Sequence, residues 1–461
     1  MEAAKQRYNL LGNPQKTIEA GGDYELEIGD ANAEGSGIGR LGGLAVFVEG
    51  ALPGERVLAR ITEMKPRYAN SKIIKIIEPS AHRIKPACPA FGECGGCLFL
   101  HCNYAETLGI KRRVVRDALE RIGKLAEPNV AAALGMDDPH GYRNNAQFIA
   151  AQGKIGFNEK KSHRVAPVCE CALQHPSINA ALAAFRNFFI ERGVPAYDEA
   201  SQTGLIRRFV ARVSFSTGEL MAIIVINGDE ITGEAALASR MADAGATSLL
   251  INPLKRKSNR STGDYFRSVY GKSHITERIG GIGYRFSAGS FFQINPVMAN
   301  ALYETACTGL DGGETIIDAH AGVGGIALRA AQKVRKTYGV DISPGAIVDA
   351  NKNAESNGIK NAEFICGPAE AIVPAIIKKT NGKIDAVFLD PPRKGCEKEL
   401  LAAIIKVRIK KIIYVSCDPA TLARDAKSLT EGGYLLEEVV PLDMFPMTGH
   451  IETVAKFRYA K

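Results

Sequence analysis

No apolar run in this 461-residue chain approaches the roughly 18 residues needed to span a bilayer, so a helical membrane span is not expected. Residues Met1 to Lys16 lack the apolar core of a secretion signal, which predicts a cytoplasmic protein. Internal repeats and low-complexity tracts are also missing, as is the G-x-G-x-x-G fingerprint of dinucleotide sites. What is present suits a globular protein: 46% hydrophobic and 23% charged residues, over a length that calls for two or three domains.

Ten cysteines in a reducing compartment are seldom disulfides. Four of them, Cys88, Cys94, Cys97 and Cys102, crowd into fifteen positions, which suggests a metal or iron–sulfur centre. The net charge of +8 is uneven, with a surplus of six cations in residues 1–284 and two in 285–461. Two runs stand out: Lys111, Arg112, Arg113 and Arg116, and then Lys255, Arg256, Lys257, Arg260, Arg267 and Lys272 against Asp264 alone. Taken by itself, each reads more readily as a solvated face than as a nucleic-acid site.

After a polar tail at 1–17, short alternating stretches at 24–28, 44–48, 56–61 and 71–76 are parted by Gly-rich turns. That period of two predicts a small OB-like barrel over 18–80, either an RNA holder or a ligand-free adaptor. Residues 81–284 read as a mixed α+β region, with a helix at about 103–123, another at 178–189 and a strand at 220–226. From 285 to 461 the rhythm becomes regular: strands at 315–319, 337–341, 363–366, 386–389 and 411–415 alternate with helices at about 325–335, 344–356, 368–379, 397–408 and 420–430. Such alternation predicts a parallel, doubly wound Rossmann-like sheet with its ligands at the carboxyl ends of the strands.

Chemistry-bearing motifs sit at those ends. Asp318-Ala319-His320-Ala321-Gly322-Val323-Gly324 lets a backbone approach a nucleoside closely, and Asp341 ends the next strand where a carboxylate can accept from ribose hydroxyls. Gly322-x-Gly324 suits S-adenosylmethionine better than a dinucleotide. Asp390-Pro391-Pro392 makes a stiff loop after the fourth strand, and Arg393 in place of an aromatic residue disfavours amine methylation. Cys417 ends the fifth strand, where a cysteine is ordinarily inert unless its partners favour the thiolate. His450 and Glu452 follow in Phe445-Pro446-x-Thr448-x-His450-x-Glu452. For Cys88-x5-Cys94-x2-Cys97 a fourth ligand could be Cys169 or Cys171, and the spacing favours [4Fe-4S] over zinc, with free thiols third.

Together with Phe292-Gln293-Ile294-Asn295, Asp390-Pro391-Pro392-Arg393-Lys394-Gly395 and Ser416-Cys417-Asp418-Pro419, these motifs resemble the RNA uracil-5-methyltransferase family over essentially the whole chain past the tail. The likeness is to its branch with a TRAM domain and an iron–sulfur cluster, typified by the 23S rRNA enzymes. The resemblance implies Cys417 as nucleophile and Glu452 as general base. It assigns Gln293, His320, Gly322, Gly324, Asp341 and Asp390 to S-adenosylmethionine or the target base. Cys88, Cys94, Cys97 and Cys171 would hold a [4Fe-4S] cluster, Cys171 being preferred because it precedes Ala-Leu-x-x-Pro as in relatives. The helix after Cys97 would dock on the catalytic domain. Three positions depart from the family pattern: His320 stands where Tyr or Phe is common, Ala321 where Cys is common, and Asn145 where many relatives are basic.

The expected reaction is methylation of C5 of an unpaired uridine in 23S rRNA through a Cys–C6 adduct. Cations of the barrel and of the 250–275 run would grip phosphates. A T-loop uridine of tRNA is the alternative acceptor, and an inert RNA-binding protein the alternative class. RNA is the one expected partner; no obligate protein partner is indicated, and a monomer is expected.

Overall fold

A computed structural model describes residues 18–255 and 260–460. The tail expected at 1–17, and Arg256 and Lys257 of the basic run, lie outside the described residues. No described helix is long and apolar enough to cross a membrane. The chain forms two compact units. One comprises residues up to Pro89 with Cys97–Val114 and Met447–His450; the other comprises Ala90–Gly96, Val115–Pro446 and Ile451 onward.

In the first unit, β1 (Asp23–Glu27), β2 (Asp30–Ala31), β3 (Ser36–Leu41), β4 (Leu44–Glu49), β5 (Arg56–Met64) and β6 (Tyr68–Glu78) form one sheet in the order β1-β5-β6-β4-β3-β2. Strand alternation sends Val46, Val48, Val57, Ala59, Ile61 and Ala69 inward, all buried. The ends of the sheet approach each other, because the Gly29 N–H after β1 donates to Ile38 O on β3 at 3.0 Å. Helix α1 (Tyr104–Arg121) contributes Ile110 to a small cluster with Ala31, Leu52, Phe99 and Cys102.

The second unit takes the rest of α1, whose Val115 and Leu119 are buried among Ile317, Val340, Leu389 and Ala423. Its first sheet runs β13-β12-β11-β10-β7-β8-β9, from β7 (Asn145–Ala151), β8 (Lys154–Asn158), β9 (Val165–Pro167), β10 (Ile206–Val213), β11 (Leu220–Ile226), β12 (Ser248–Pro253) and β13 (Arg267–Tyr270). Every residue of β11, Leu-Met-Ala-Ile-Ile-Val-Ile, is buried, as a strand covered on both faces requires. One face meets α2 (Pro176–Glu191) and α3 (Glu234–Asp243) through Phe185, Phe188 and Leu237. From the other face Met221, Ile223 and Val225 share a core with Ile316, Ala327 and Phe388. Contacts therefore run continuously across residues 284 and 285, where the sequence rhythm changes.

A hairpin of β14 (His274–Ile279) and β15 (Ile282–Ser287) precedes the doubly wound part. That part comprises α4 (Pro296–Ala306), β16 (Thr315–Asp318), α5 (Gly325–Ala331), β17 (Lys336–Asp341), α6 (Pro344–Ser356), β18 (Ala362–Cys366), α7 (Ala369–Lys379), β19 (Ala386–Leu389), α8 (Lys398–Val407), β20 (Lys411–Ser416), α9 (Pro419–Glu431), β21 (Tyr434–Leu442) and β22 (Glu452–Tyr459). Its sheet is ordered β18-β17-β16-β19-β20-β22-β21, parallel except for β22, which runs antiparallel to both neighbours. The winding reverses between β16 and β19, so the carboxyl ends of those strands open the crevice where such folds bind ligands. Three helices begin alike, with a capping side chain followed by proline: Asn295-Pro296, Ser343-Pro344 and Asp418-Pro419. The helix expected at 325–335 stops at Ala331, where the chain turns back into β17 and Arg335 is tied to Gly313 O and Thr315 Oγ1.

Candidate active site

Cys417 occupies the sharp turn from β20 into α9. Ser416 Oγ donates to Asp418 O at 3.0 Å, and the Asp418 carboxylate accepts from the N–H groups of Ala420 and Thr421, each at 2.9 Å. Both neighbours being fixed, the thiol is held at the sheet rim. Glu452 opens β22, whose register against β20 pairs Ser416 with Thr453, so Cys417 and Glu452 face each other one step beyond the last pair. Thr453 Oγ1 donates to Ser416 O at 3.1 Å, locking that register. Before Glu452, Met447 takes a left-handed φ of 64° while its carbonyl accepts from Leu98 and Phe99. A Cβ on Gly449 would lie 1.7 Å from Ala33 O, so that loop position requires glycine.

At the switch point lies an open cleft of about 410 Å³, lined among others by Phe291, Phe292, Gln293, Tyr303, Asp318, His320, Gly322 and Asp390. Of the six expected cofactor residues, Gln293, His320, Gly322 and Asp390 line it. Asp341 stands beside it at the end of β17, half-buried, its carboxylate accepting from Gly322 N–H at 3.0 Å and Ser343 N–H at 2.8 Å. Gly324, at φ 95°, is the N-cap of α5. The N–H of Asp390 donates to His320 Nδ1 at 3.3 Å. Nδ1 is thus the acceptor, and burial holds His320 down to about 4, so a neutral ring carries its proton on Nε2.

The electrostatics are those of a site with too much negative charge. Burial, reinforced by Asp390 and then Asp341, pushes Asp318 up to about 7, and burial brings Asp390 to about 7 as well. Glu452 is held well above the usual carboxylate range by burial and by Asp390, with Arg393 opposing. Burial, Glu452 and Asp390 raise the Cys417 thiol to about 11, again against Arg393. Carboxylates desolvated around a cleft suit a cationic ligand, which fits the sulfonium of S-adenosylmethionine. Asp318, Tyr303 and Arg393 carried no role in the sequence reading. Asp318 was legible in principle, as the acid at the end of the first strand.

Of the four expected cluster cysteines, Cys88 and Cys97 belong to one unit and Cys94 and Cys171 to the other. Cys94 and Cys171 are near enough for one charge to raise the other thiol, and Arg143 lowers it. Among the described residues, no three His, Cys, Asp or Glu side chains converge as a metal site. The fit to a cluster is therefore partial. Buried Cys102, Cys307 and Cys396 are pushed up to about 11, 12 and 12 by burial, as inert thiols are.

The first basic run departs from the expected solvated face. Lys111 is buried rather than solvated, and Arg113 is held by Asp30 at 2.9 Å and Glu106 at 2.7 Å. In the second run Lys255 meets Asp229, Arg260 meets Asp264, Arg267 meets Glu234 at 2.5 Å and Lys272 lies 3.9 Å from Glu219. Most of these acids lie outside the run, which is why a local count missed them. Arg67, Lys72 and Lys75 of the barrel have no ion pair among the described residues.

Comparison with known proteins agrees with this geometry. The family model described as tRNA (Uracil-5-)-methyltransferase matches residues 264–457, and the TRAM domain model matches 19–74. The chain is 42% identical over 446 residues to an uncharacterized RNA methyltransferase of Caldanaerobacter subterraneus subsp. tengcongensis, covering 95% of this chain and 98% of that one. A second such relative, from Halalkalibacterium halodurans, is 37% identical, with 96% and 99% covered. Among solved structures, the Pyrococcus abyssi tRNA (uracil-54, C5)-methyltransferase in complex with S-adenosyl-L-homocysteine matches with a TM-score of 0.76 at 26% identity, covering 94% of this chain and all of that one. A TRAM barrel, a doubly wound sheet with a cleft at its switch point and a cysteine facing a glutamate on its rim therefore belong together: the chain is a member of the TRAM-containing RNA uracil-5-methyltransferase family, an S-adenosylmethionine-dependent RNA methyltransferase.

Proposed function

We propose that the protein methylates C5 of a specific unpaired uridine in 23S rRNA through a covalent adduct between Cys417 and C6. The observation that carries the reading is the facing pair Cys417 and Glu452 beside a cleft rich in buried carboxylate. C5 of uracil is a poor nucleophile, so a thiolate must first add to C6 and move electron density to C5. The Cys417 thiol is protonated in the free protein; as its sulfur bonds to C6, its proton leaves to solvent, helped by the positive charge of Arg393. Bound S-adenosylmethionine supplies an electrophilic methyl group. Once C5 has accepted it, Glu452 removes the C5 proton, the C6–S bond breaks and the ring double bond returns. Asp390 orients the uracil edge, and His320 holds the Asp390 backbone. Barrel cations Arg67, Lys72 and Lys75 supply phosphate contacts.

Four cysteines and the barrel favour ribosomal RNA. A T-loop uridine of tRNA is the second reading, supported by the likeness to the archaeal tRNA enzyme. Mass spectrometry of 5-methyluridine in separated rRNA and tRNA from a strain lacking the protein tests both: loss from 23S rRNA is expected, and loss from tRNA alone would replace the first reading with the second. We also propose that Cys88, Cys94, Cys97 and Cys171 hold a [4Fe-4S] cluster with a structural part, since no step above moves an electron. Anaerobically purified protein is then expected to carry about four iron and four sulfide per chain. Zinc in their place, or neither metal, would remove the cluster from the account.

A further inference from the structure

We propose that Arg212 and Asp349 are positioning residues for S-adenosylmethionine, acting jointly on the 287–293 segment that forms one wall of the cofactor cleft. Among the described residues, strand β15 has one edge without a partner strand. That strand pairs only with β14, so its other edge presents N–H and C=O groups that need partners. Helix α6 supplies them from side chains four residues apart. Asn357 accepts from Gly283 N–H at 2.9 Å and donates to its carbonyl at 2.8 Å; Asn353 does the same for Arg285 at 2.8 and 3.0 Å. Alternate strand residues are about 6.6 Å apart and helix residues four apart about 6 Å, so an Asn at every fourth position keeps step with the strand.

The third rung differs. Asp349 stands where the pattern would place another Asn, and a carboxylate can only accept. It takes Ser287 N–H at 2.9 Å but leaves the Ser287 carbonyl, which accepts instead from Arg212 on β10 at 3.1 Å. The pair then reaches past the end of the strand. Arg212 also donates to the carbonyls of Ala288 at 3.0 Å and Ser290 at 2.9 Å, while Asp349 accepts from the hydroxyls of Ser287 at 2.9 Å and Ser290 at 2.8 Å. Both side chains are buried, with exposures of 5% and 1%. The guanidinium lies 4.7 Å from the centre of the Phe286 ring, which stacks on Phe292 at 4.4 Å. Phe291, Phe292 and Gln293, the next residues, line the cleft without regular secondary structure of their own. A buried fork on the carbonyls of Ser287, Ala288 and Ser290 and a carboxylate on the hydroxyls of Ser287 and Ser290 are what fix them. Asn353 adds a bond to Val323 O at 3.0 Å in the glycine loop, so the same helix face holds both walls.

The test compares Arg212→Lys, Asp349→Asn and Asn357→Ala with wild type, titrating the full-length protein with S-adenosylmethionine and measuring kcat at saturation. A lysine keeps the charge but cannot reach three carbonyls, and an asparagine turns a donating amide N–H2 toward groups that themselves donate. Expected are a Kd and KM for the cofactor raised at least about tenfold in both clamp variants, with kcat at saturation within about threefold. Asn357→Ala, two rungs away, is expected to lower Tm and leave Kd unchanged. Should Arg212→Lys fail to fold, Ser290→Ala reads the same clamp with an expected rise of about threefold. Folded clamp variants that bind as wild type does would overturn the proposal alone. A wild-type protein without affinity for the cofactor would overturn it together with the reading of the cleft.

Discussion

Replacement of Cys417 by Ala lowers methyl transfer to uridine by more than about ten-thousand-fold, the scale on which removal of a covalent nucleophile acts. Neither neighbouring side chain can substitute, because the Ser416 hydroxyl and the Asp418 carboxylate are engaged in holding the turn. Glu452→Gln has a different signature. Addition and methyl transfer proceed, but the C5 proton stays, so an RNA–protein adduct accumulates and survives denaturing electrophoresis. The same variant changes the thiol itself. Glu452 contributes to raising the Cys417 thiol to about 11, so its neutralisation lowers that value, and Arg393→Gln raises it. Iodoacetamide labelling of the Cys417 peptide, followed by mass spectrometry between pH 7 and pH 10, should run several-fold faster in Glu452→Gln than in wild type and slower in Arg393→Gln. Full turnover in Cys417→Ala would end the covalent account, and labelling rates indifferent to Glu452 would remove the coupling.

Asp318→Asn stabilises the free protein at pH 8, does so by roughly a third as much at pH 5, and leaves it almost unchanged at pH 3. Burial raises the Asp318 carboxyl to about 7, above its unfolded value near 3.9. A group raised in this direction contributes stability that is fully present below the unfolded value and is lost as the pH rises through the folded one. The penalty at pH 8 has an upper bound of about 4 kcal/mol, from 1.36 kcal/mol per pKa unit. Asparagine carries no charge and keeps the acceptor for the His320 N–H, found at 3.3 Å in wild type. At roughly 2–4 °C per kcal/mol, a gain of several degrees in Tm is expected at pH 8. Cofactor affinity pays the difference. S-adenosylmethionine is a sulfonium and S-adenosylhomocysteine a neutral thioether, so the variant should lose about tenfold or more in affinity for the first and much less for the second. Equal losses for both would show that Asp318 does not sense the sulfonium charge; an unchanged Tm at pH 8 would show that its burial carries no penalty.

The way these groups were found separates two kinds of information. The strands at 315–319, 337–341, 363–366, 386–389 and 411–415 were legible because a strand, its turn and the following helix leave their pattern within a dozen residues. So was the turn holding Cys417, since Asp418-Pro419 is a cap written locally. The hairpin of β14 and β15 went unread although its Gly280-Gly281 turn is local, whereas β22 was not legible because it inserts between β21 and β20, the latter set by an earlier segment. Asp349, Asn353 and Asn357 advertise a polar helix face at spacing four, yet nothing local says that an edge strand lies against it. The acids paired with the basic run at 250–275 were not legible for the same reason, Asp229, Glu234 and Glu219 being brought by other elements.

What the sequence by itself determined, then, was the order of elements, the doubly wound class, and the residue types Cys417, Glu452, Asp390 and Gln293 at loop positions where chemistry occurs. Only the tertiary structure decided that Cys417 meets Glu452 across a strand register, that Asp341 is tied to the glycine loop through Gly322, and that Asp318 and Asp390 stand desolvated together. Periodicity and turn chemistry are properties of a short window of chain. Burial, pairing and the charge felt by a carboxylate are properties of whatever the fold brings within a few ångströms of it.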